Sequence, residues 1–221
     1  MENTIRLEIL DSVTSTMDVA RENVTSGRHF FTPEGSPLYQ GVMAYEQTLG
    51  RGQRGNRWFA APRQSLCATF YYRDSHTDPE HSHEVSLLAG VAVLSAVQQV
   101  IGRAVAIPQL GLKWPNDLLL GSEKLAGILA QAGGVDGRVD YVVVGIGLNV
   151  GWAPAGGIRL GDGIDPGAVL DELLRSLVEL GDDEQRLDHE YERRLRTLHQ
   201  RVRVIRPTDE VVGTAVAVRP D

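Results

Sequence analysis

The stretch VMAYEQTLGRGQRGNRWFAAPRQSLCATFYY, residues 42–72, sets two β-rich runs on either side of a long glycine- and arginine-rich segment. Val42 to Tyr45 and Leu66 to Tyr72 carry the β-branched and aromatic side chains that suit a pleated, half-buried surface. Thr48 to Ser65, between them, exceeds an ordinary hairpin connection, and loops of that length are commonly functional. Gly50, Gly52 and Gly55 spell G-x-G-x-x-G. The dinucleotide fingerprint, however, needs a helix directly after its glycines. Asn56 to Pro62, with Trp58, Phe59 and a proline, is a poor helix. The phosphate-loop pattern fails as well, because Asn56-Arg57 stands where Lys-Ser/Thr is required. The dinucleotide reading is rejected; strand, loop and strand remain.

Upstream, Ile5 to Ile9 alternates as a half-buried strand, and Ser15 with Asp18 three residues on reads as a capping box opening a helix to about Val24. Gly27 to Gly41, with Pro33, Gly35 and Pro37, is a loop. Downstream, Ser82 caps a helix to about Ile101 that is apolar nearly all round and so belongs in the interior. Leu118 to Leu120 and Leu125 to Ala130 flank a hairpin turn, and Tyr141 to Val144 is a further strand ending in Gly145-Ile146-Gly147-Leu148-Asn149. After the loop Gly151 to Gly163, Asp165 and Pro166 open a helix to about Leu180, broken by Gly181. Leu187, Tyr191, Leu195 and Leu198 space a second helix. Arg201 to Ile205 and Val211 to Val218 read as two β segments around a turn at Pro207. The class is α+β, a mixed β-sheet with helices packed on one face. Residues 1–200 form the main domain and 201–221 a partial C-terminal β segment, which docks on the body or belongs to an incomplete small domain, since two strands are not stable alone.

The chain has 221 residues, 22 basic against 29 acidic, and a formal net charge of −7. That length suits one large domain or one domain plus a small appendage, burying roughly 70% of the unfolded surface without a staple. Leu87 to Val97, the longest apolar stretch, falls short of the ~20 residues of a membrane span, and no secretory signal precedes the first strand. One cysteine, Cys67, suits a reducing compartment. The acidic balance argues against general nucleic-acid binding. A cytoplasmic protein without membrane or nucleic-acid partners is expected.

Against that charge, Gln47 to Arg73 contains no acidic residue and five arginines, Arg51, Arg54, Arg57, Arg63 and Arg73. Glycine lets backbone approach a ligand, and the arginine fork matches phosphate and carboxylate oxygens. The competing reading is a solvated loop whose arginines satisfy nearby carbonyls. Lys113-Trp114-Pro115-Asn116-Asp117 has turn chemistry in its last three residues, but a lysine there also suits a phosphate and an aspartate suits Mg²⁺. Gly127 inside Lys124-Leu125-Ala126-Gly127-Ile128-Leu129 marks a close approach of ligand or backbone. His76, His81 and His83 lack the companions of a metal site and read as a surface loop feeding a helix. Cys67 reads as a small core residue. No Ser-His-Asp or Cys-His set stands out.

Taken together, Ser15-Thr16, Tyr45 to Gly55, Lys113 to Asp117, Lys124 to Leu129 and Gly145 to Val150 resemble the biotin protein ligases in order and spacing over about residues 5–150. The resemblance implies a catalytic domain like that of class II aminoacyl-tRNA synthetases and a two-step reaction. Biotin's carboxylate attacks the α-phosphate of ATP, and a lysine of a biotin carboxyl carrier protein domain then takes biotin from the adenylate. By the same resemblance, Ser15, Thr16, Met17 and Gln47 line the biotin site with Gly127 beneath. Arg51, Gly52, Gln53 and Lys124 hold its carboxylate and the adenylate phosphate. Trp58 stacks near adenine, Asn116 and Asn149 face the nucleotide, Lys113 and Arg54 lie near the phosphates, and Asn116 with Asp117 meets Mg²⁺. Arg51, Lys113 and Lys124 are the catalytic candidates.

Like charges ~4 Å apart repel by ~4 kcal/mol at an effective dielectric of 20, so a carboxylate meeting a polyphosphate needs such cations. Gln53 stands where the family more often has a second arginine, and Met17 where asparagine is common. Family members usually finish with a small β-barrel, so the two-stranded tail reads as truncated; with no helix-turn-helix before the first strand, the repressor activity of some relatives is not expected. The exposed sheet edge is compatible with a homodimer. The rival readings are a lipoate or octanoate ligase of the same fold and a non-catalytic biotin or nucleotide sensor. The charge argument predicts that Arg51→Ala slows adenylate formation or lets biotinyl-adenylate escape, read by pyrophosphate release and by chromatography of the free adenylate. Wild-type rate and retention would remove Arg51 from the anion clamp.

Overall fold

Alternating apolar strands build one mixed sheet. The computed structural model describes residues 5–27, 40–73, 81–102, 110–134, 139–181, 184–206 and 208–218. Its strands are β1 (Arg6–Leu10), β2 (Gln40–Ala44), β3 (Ser65–Arg73), β4 (Leu110–Lys113), β5 (Asp117–Leu120), β6 (Glu123–Gly133) and β7 (Tyr141–Asn149). They lie in the order β1-β2-β3-β7-β6-β5-β4. Only β1 and β2 pair in parallel, with α1 (Thr16–Thr25) as their crossover; the other pairs are antiparallel. The two-residue turn Gly121-Ser122 joins β5 to β6, with Gly121 at φ 63°, a conformation that favours glycine. The strand read at Tyr141 to Val144 continues to Asn149, because its glycines still pair with β3 and β6.

α2 (His81–Ile101), α3 (Pro166–Gly181) and α4 (Glu184–Arg194) complete the main body. Leu87, Leu88, Val91, Ala92, Leu94 and Val97 of α2 are buried in the main core with Leu170, Leu173 and Leu177 of α3, as an all-round apolar helix requires. The one-face arrangement of helices holds for α2, α3 and α4. α1 is the exception: Met17, Ala20 and Val24 form a second core with Val42, Tyr71 and Val143 on the opposite face of the sheet. α1 has an apolar stripe, and the parallel crossover from β1 to β2 carries it there.

Asp165 caps α3 as read, its Oδ1 accepting the Gly167 N–H at 3.0 Å. Helix α4 ends at Arg194, four residues short of the helical spacing that runs to Leu198, because the following segment pairs with the sheet edge instead. Leu112 bridges Leu195, and Arg196 N–H donates to Leu112 O at 2.8 Å. That segment covers β4, an edge otherwise open to another chain. β8 (Arg201–Ile205) and β9 (Glu210–Thr214) form a separate two-stranded ribbon. Val218 beyond it packs on the main core, while Ile205 and Val212 are exposed; no closed barrel forms among the described residues. Among these residues no helix is long and apolar enough to cross a membrane. The loop read at Gly27 to Gly41 falls at positions 28–39 outside the described residues, as does His76, and likewise the side chains of His81 and His83.

Removing the α3 cap tests this reading of its start. Asp165→Ala is expected to cost about 1 kcal/mol, seen as a lower urea midpoint with an unchanged m-value.

Candidate functional site

The period-two alternation of β7 divides its residues between two tasks. Val142, Val144, Ile146 and Leu148 face the main core, and Val143, Gly145 and Gly147 face the side of α1. Register adds small neighbours to this bare stretch. Gly147 pairs with Cys67 on β3 and with Gly127 on β6, and Gly145 pairs with Thr69. The result is the floor of a cleft of about 220 Å³. A Cβ on Gly147 would overlap the Trp58 indole, one on Gly145 would lie 2.9 Å from Met17 Sδ, and one on Gly127 would lie 3.1 Å from Lys124 Nζ. Burial pushes the Cys67 thiol up to about 12, outweighing the neighbouring Gln47 and Trp58 side chains. Cys67 stays a neutral thiol at ordinary pH, the small core residue its apolar strand suggests.

One wall is polar and tightly satisfied. Gln47 Oε1 accepts the Thr16 N–H at 2.7 Å and the Thr16 hydroxyl at 3.0 Å, while the Thr69 hydroxyl donates to Thr16 Oγ1 at 2.8 Å. Because a backbone N–H can only donate, the Gln47 amide is fixed with its oxygen on Thr16 and its NH₂ on the side of Gly50. Ser15 precedes α1 as its N-cap residue but makes no capping hydrogen bond. Its hydroxyl is buried without a partner among the described residues. The capping box read from Ser15 and Asp18 does not form; both side chains are turned to the cleft and its rim.

The cationic island divides. Arg51 lines the cleft and pairs with Asp18. Arg57 also lines it, donating to Thr48 O at 3.0 Å and lying over Phe59. Arg63 leaves the site, stacking on Tyr45 and pairing with Asp11. Arg54 is exposed at φ 55° in the single 3₁₀ turn Gln53–Gly55 and does not line the cleft. Gly52 N–H donates to Asn56 O, and Trp58 N–H to Gly50 O, so the segment folds back as a small hairpin at the cleft mouth.

The turn after β4 supplies the far wall. Asn116 and Asp117 line the cleft, with Asn116 Nδ2 donating to Ile128 O at 2.9 Å. Lys124 Nζ lies 2.6 Å from Asp117 Oδ1 as an ion pair, off-angle for a hydrogen bond, and 5.7 Å from the Trp58 ring centre. Lys113 is exposed at the end of β4 and lies outside the cleft lining. Asn149 sits behind it, its Nδ2 donating to Ile158 O and Lys124 O, while its Oδ1 is buried and unpartnered. Among the described residues no three acidic, histidine or cysteine side chains could hold a metal.

Ser15, Thr16, Met17, Gln47, Arg51, Gly52 and Gln53 thus come together with Trp58, Asn116, Asp117, Lys124 and Gly127 round one cleft, and Lys113, Arg54 and Asn149 do not line it. Sequence reasoning gave no site role to Asn56, Ile128, Leu129, Gly145, Ile146 and Gly147, and placed Arg57 only in the arginine island. The glycines had a signal, alternating with Val144, Ile146 and Leu148 along one strand.

A glycine floor, a polar wall and cations line one cleft, an arrangement whose chemistry suits a small acidic ligand. The family model described as the biotin/lipoate A/B protein ligase family matches residues 10–149. A biotin–[acetyl-CoA-carboxylase] ligase from Mycobacterium tuberculosis is 34% identical over 194 residues, 79% of this chain and 68% of that protein. One from Paracoccus denitrificans is 36% identical over 127 residues, 58% of this chain and 49% of that protein. The biotin protein ligase of Leishmania major in complex with biotinyl-5-AMP superposes with a TM-score of 0.68 at 25% identity, covering 91% of this chain and 87% of that one. The Aquifex aeolicus enzyme in complex with biotin and ATP has a TM-score of 0.71 at 22% identity over 97% of this chain and 88% of that one, a likeness of fold. The chain belongs to the biotin/lipoate A/B protein ligase family.

The packing of Trp58 on bare backbone gives a test of the floor. Gly147→Ala is expected to cost roughly 1–3 kcal/mol by overpacking, measured by urea denaturation. The cost should largely vanish in a Trp58→Ala background.

Proposed function

We propose that this chain is a biotin protein ligase, which activates biotin with ATP and transfers it to a lysine of a biotin carboxyl carrier protein. The observation that carries the reading is the convergence of the five motif segments on one cleft with a bare floor, a hydrogen-bonding wall and cations at its mouth. The 34% identity to the mycobacterial ligase supports it. Gln47 and the unpartnered Ser15 hydroxyl address the polar end of biotin, Thr16 and Met17 close that end, and its ring system lies beside the Trp58 indole that packs on the glycine floor. Arg51, Gly52, Gln53 and Lys124 hold the carboxylate and the phosphate it joins.

In the first step a carboxylate oxygen of biotin forms a bond to the α-phosphorus of ATP and the bond to the leaving pyrophosphate breaks. In the second the neutral amine of the carrier lysine attacks the acyl carbon, AMP leaves with the bonding electron pair, and the amine loses a proton. Both nucleophiles belong to substrates, so the chain supplies placement and charge. A preorganised donor facing developing charge is typically worth ~3–4 kcal/mol, the role assigned to Arg51 and Lys124; Lys113 and Arg54, exposed outside the cleft lining, are left for phosphates that extend beyond it. Trp58, Asn116 and Asn149 take the nucleotide side. Asn116 and Asp117 are two oxygen-bearing side chains, and Mg²⁺ commonly takes one or two such ligands plus phosphate oxygens. They fit a metal that arrives with the nucleotide, where it neutralises phosphate charge. The hairpin at Gly50–Trp58 shields the adenylate from water.

Incubation with labelled biotin, ATP, Mg²⁺ and a carrier domain is expected to leave label on the carrier lysine. Ligand binding without transfer would convert the reading to a sensor, and transfer of lipoate or octanoate in place of biotin would make it the sister ligase.

A further inference from the structure

The geometry points to Asp18 as a positioning residue for Arg51, holding the guanidinium by one edge so that its other edge stays open for the substrate anion. The inference rests on the ligase reading, in which Arg51 meets the biotin carboxylate and the phosphate it joins.

Asp18 lies in the first turn of α1, where the helix dipole favours a carboxylate. Its two oxygens accept Arg51 Nε at 3.0 and 3.1 Å and Nη2 at 3.1 Å. This is the side-on fork, and it leaves Nη1 and the second Nη2 hydrogen without a protein partner among the described residues. Arginine has five donors, so one carboxylate can hold it while a second anion binds end-on. Asp18 is itself braced: Arg21 Nη1 stands 3.7 Å from Asp18 Oδ1, and Arg21 Nη2 donates to Gln131 Oε1 on β6 at 2.7 Å. The chain Gln131–Arg21–Asp18–Arg51 therefore ties a loop side chain to the sheet through α1.

Stability alone does not account for the pair. The Arg51 side chain is 51% and that of Asp18 31% accessible, and ion pairs so exposed contribute little to folding. Asp18 also forgoes the reciprocal cap on Ser15 that its spacing offers. Orientation is what the arrangement supplies: a long, flexible cation is fixed before the anion arrives, which lowers the ordering cost at the moment of binding.

The test is a double-mutant cycle on pyrophosphate release with biotin and ATP, using the full chain. Asp18→Ala is expected to lower kcat/KM for biotin by roughly tenfold or more, up to the ~10²-fold that a misplacement of about 1 Å can cost. Binding of biotinol, whose alcohol has no anionic group for Arg51, should be unchanged. Asp18→Glu should restore part of the loss. In the Arg51→Ala background the same Asp18→Ala change should have no further effect. Wild-type rates in Asp18→Ala, or an equal loss with and without Arg51, would overturn the assignment while leaving the ligase reading intact. A wild-type chain that releases no pyrophosphate at all would overturn that reading and the assignment with it.

Discussion

A β-strand has two faces, and here one strand must satisfy two opposed demands. The side of β7 under α2 and α3 has to be large and apolar to exclude water from the main core, which Val142, Val144, Ile146 and Leu148 achieve. The other side has to carry no side chains of its own, so that Trp58 and Met17 can pack on bare backbone, which Gly145 and Gly147 allow opposite Thr69, Cys67 and Gly127. A one-residue slip in register would exchange the two faces, burying glycines in the core and filling the cleft with Val and Ile. The long antiparallel pairings of β7 with β3 and β6 fix that register. Core and cleft are thus two readings of the same hydrogen-bonded ladder, and neither can be altered without the other.

The cleft is also governed by charge held in reserve. In a chain of net charge −7, bare cations at the mouth would draw any soluble anion. Two of the cleft's cations are instead held by carboxylates, Arg51 by Asp18 and Lys124 by Asp117. Arg57 is spent on a carbonyl of its own loop. Each pair lies partly in solvent, so the donor hydrogens it leaves unused stay open to an incoming anion while the carboxylate keeps its hold.

Much of the fold was legible because the signals were local. The β-rich run Leu66 to Tyr72, the Asp165-Pro166 start of α3 and the tight turn at Gly121 each depend on neighbours in sequence. The motif segments were legible too, since glycine, arginine and lysine in loops have few structural reasons to cluster. What stayed hidden depended on long-range pairing. Met17, Ala20 and Val24 announce an apolar stripe but not which face of the sheet receives it. Gly147 becomes part of a floor only through Gly127, twenty residues away across a strand pair. Leu195 continues the helical spacing of α4, yet the unpaired edge of β4 captures its backbone. Asp18 was concealed by a local alternative, since its spacing from Ser15 suits a cap that tertiary contact then withdraws.

The base of the arginine hairpin is stitched to the segment before α1, Thr48 N–H to Val13 O at 3.0 Å and Leu49 N–H to Thr14 O at 2.8 Å. These two bonds act like the jamb of a door. Any swing of the hairpin begins beyond Leu49, so Gln47 and the wall it shares with Thr16 stay still whether the leaf is ajar or shut. Grip on the neutral end of a guest and access to its reactive end can then be set separately, and a finished product can depart from one side without loosening the other.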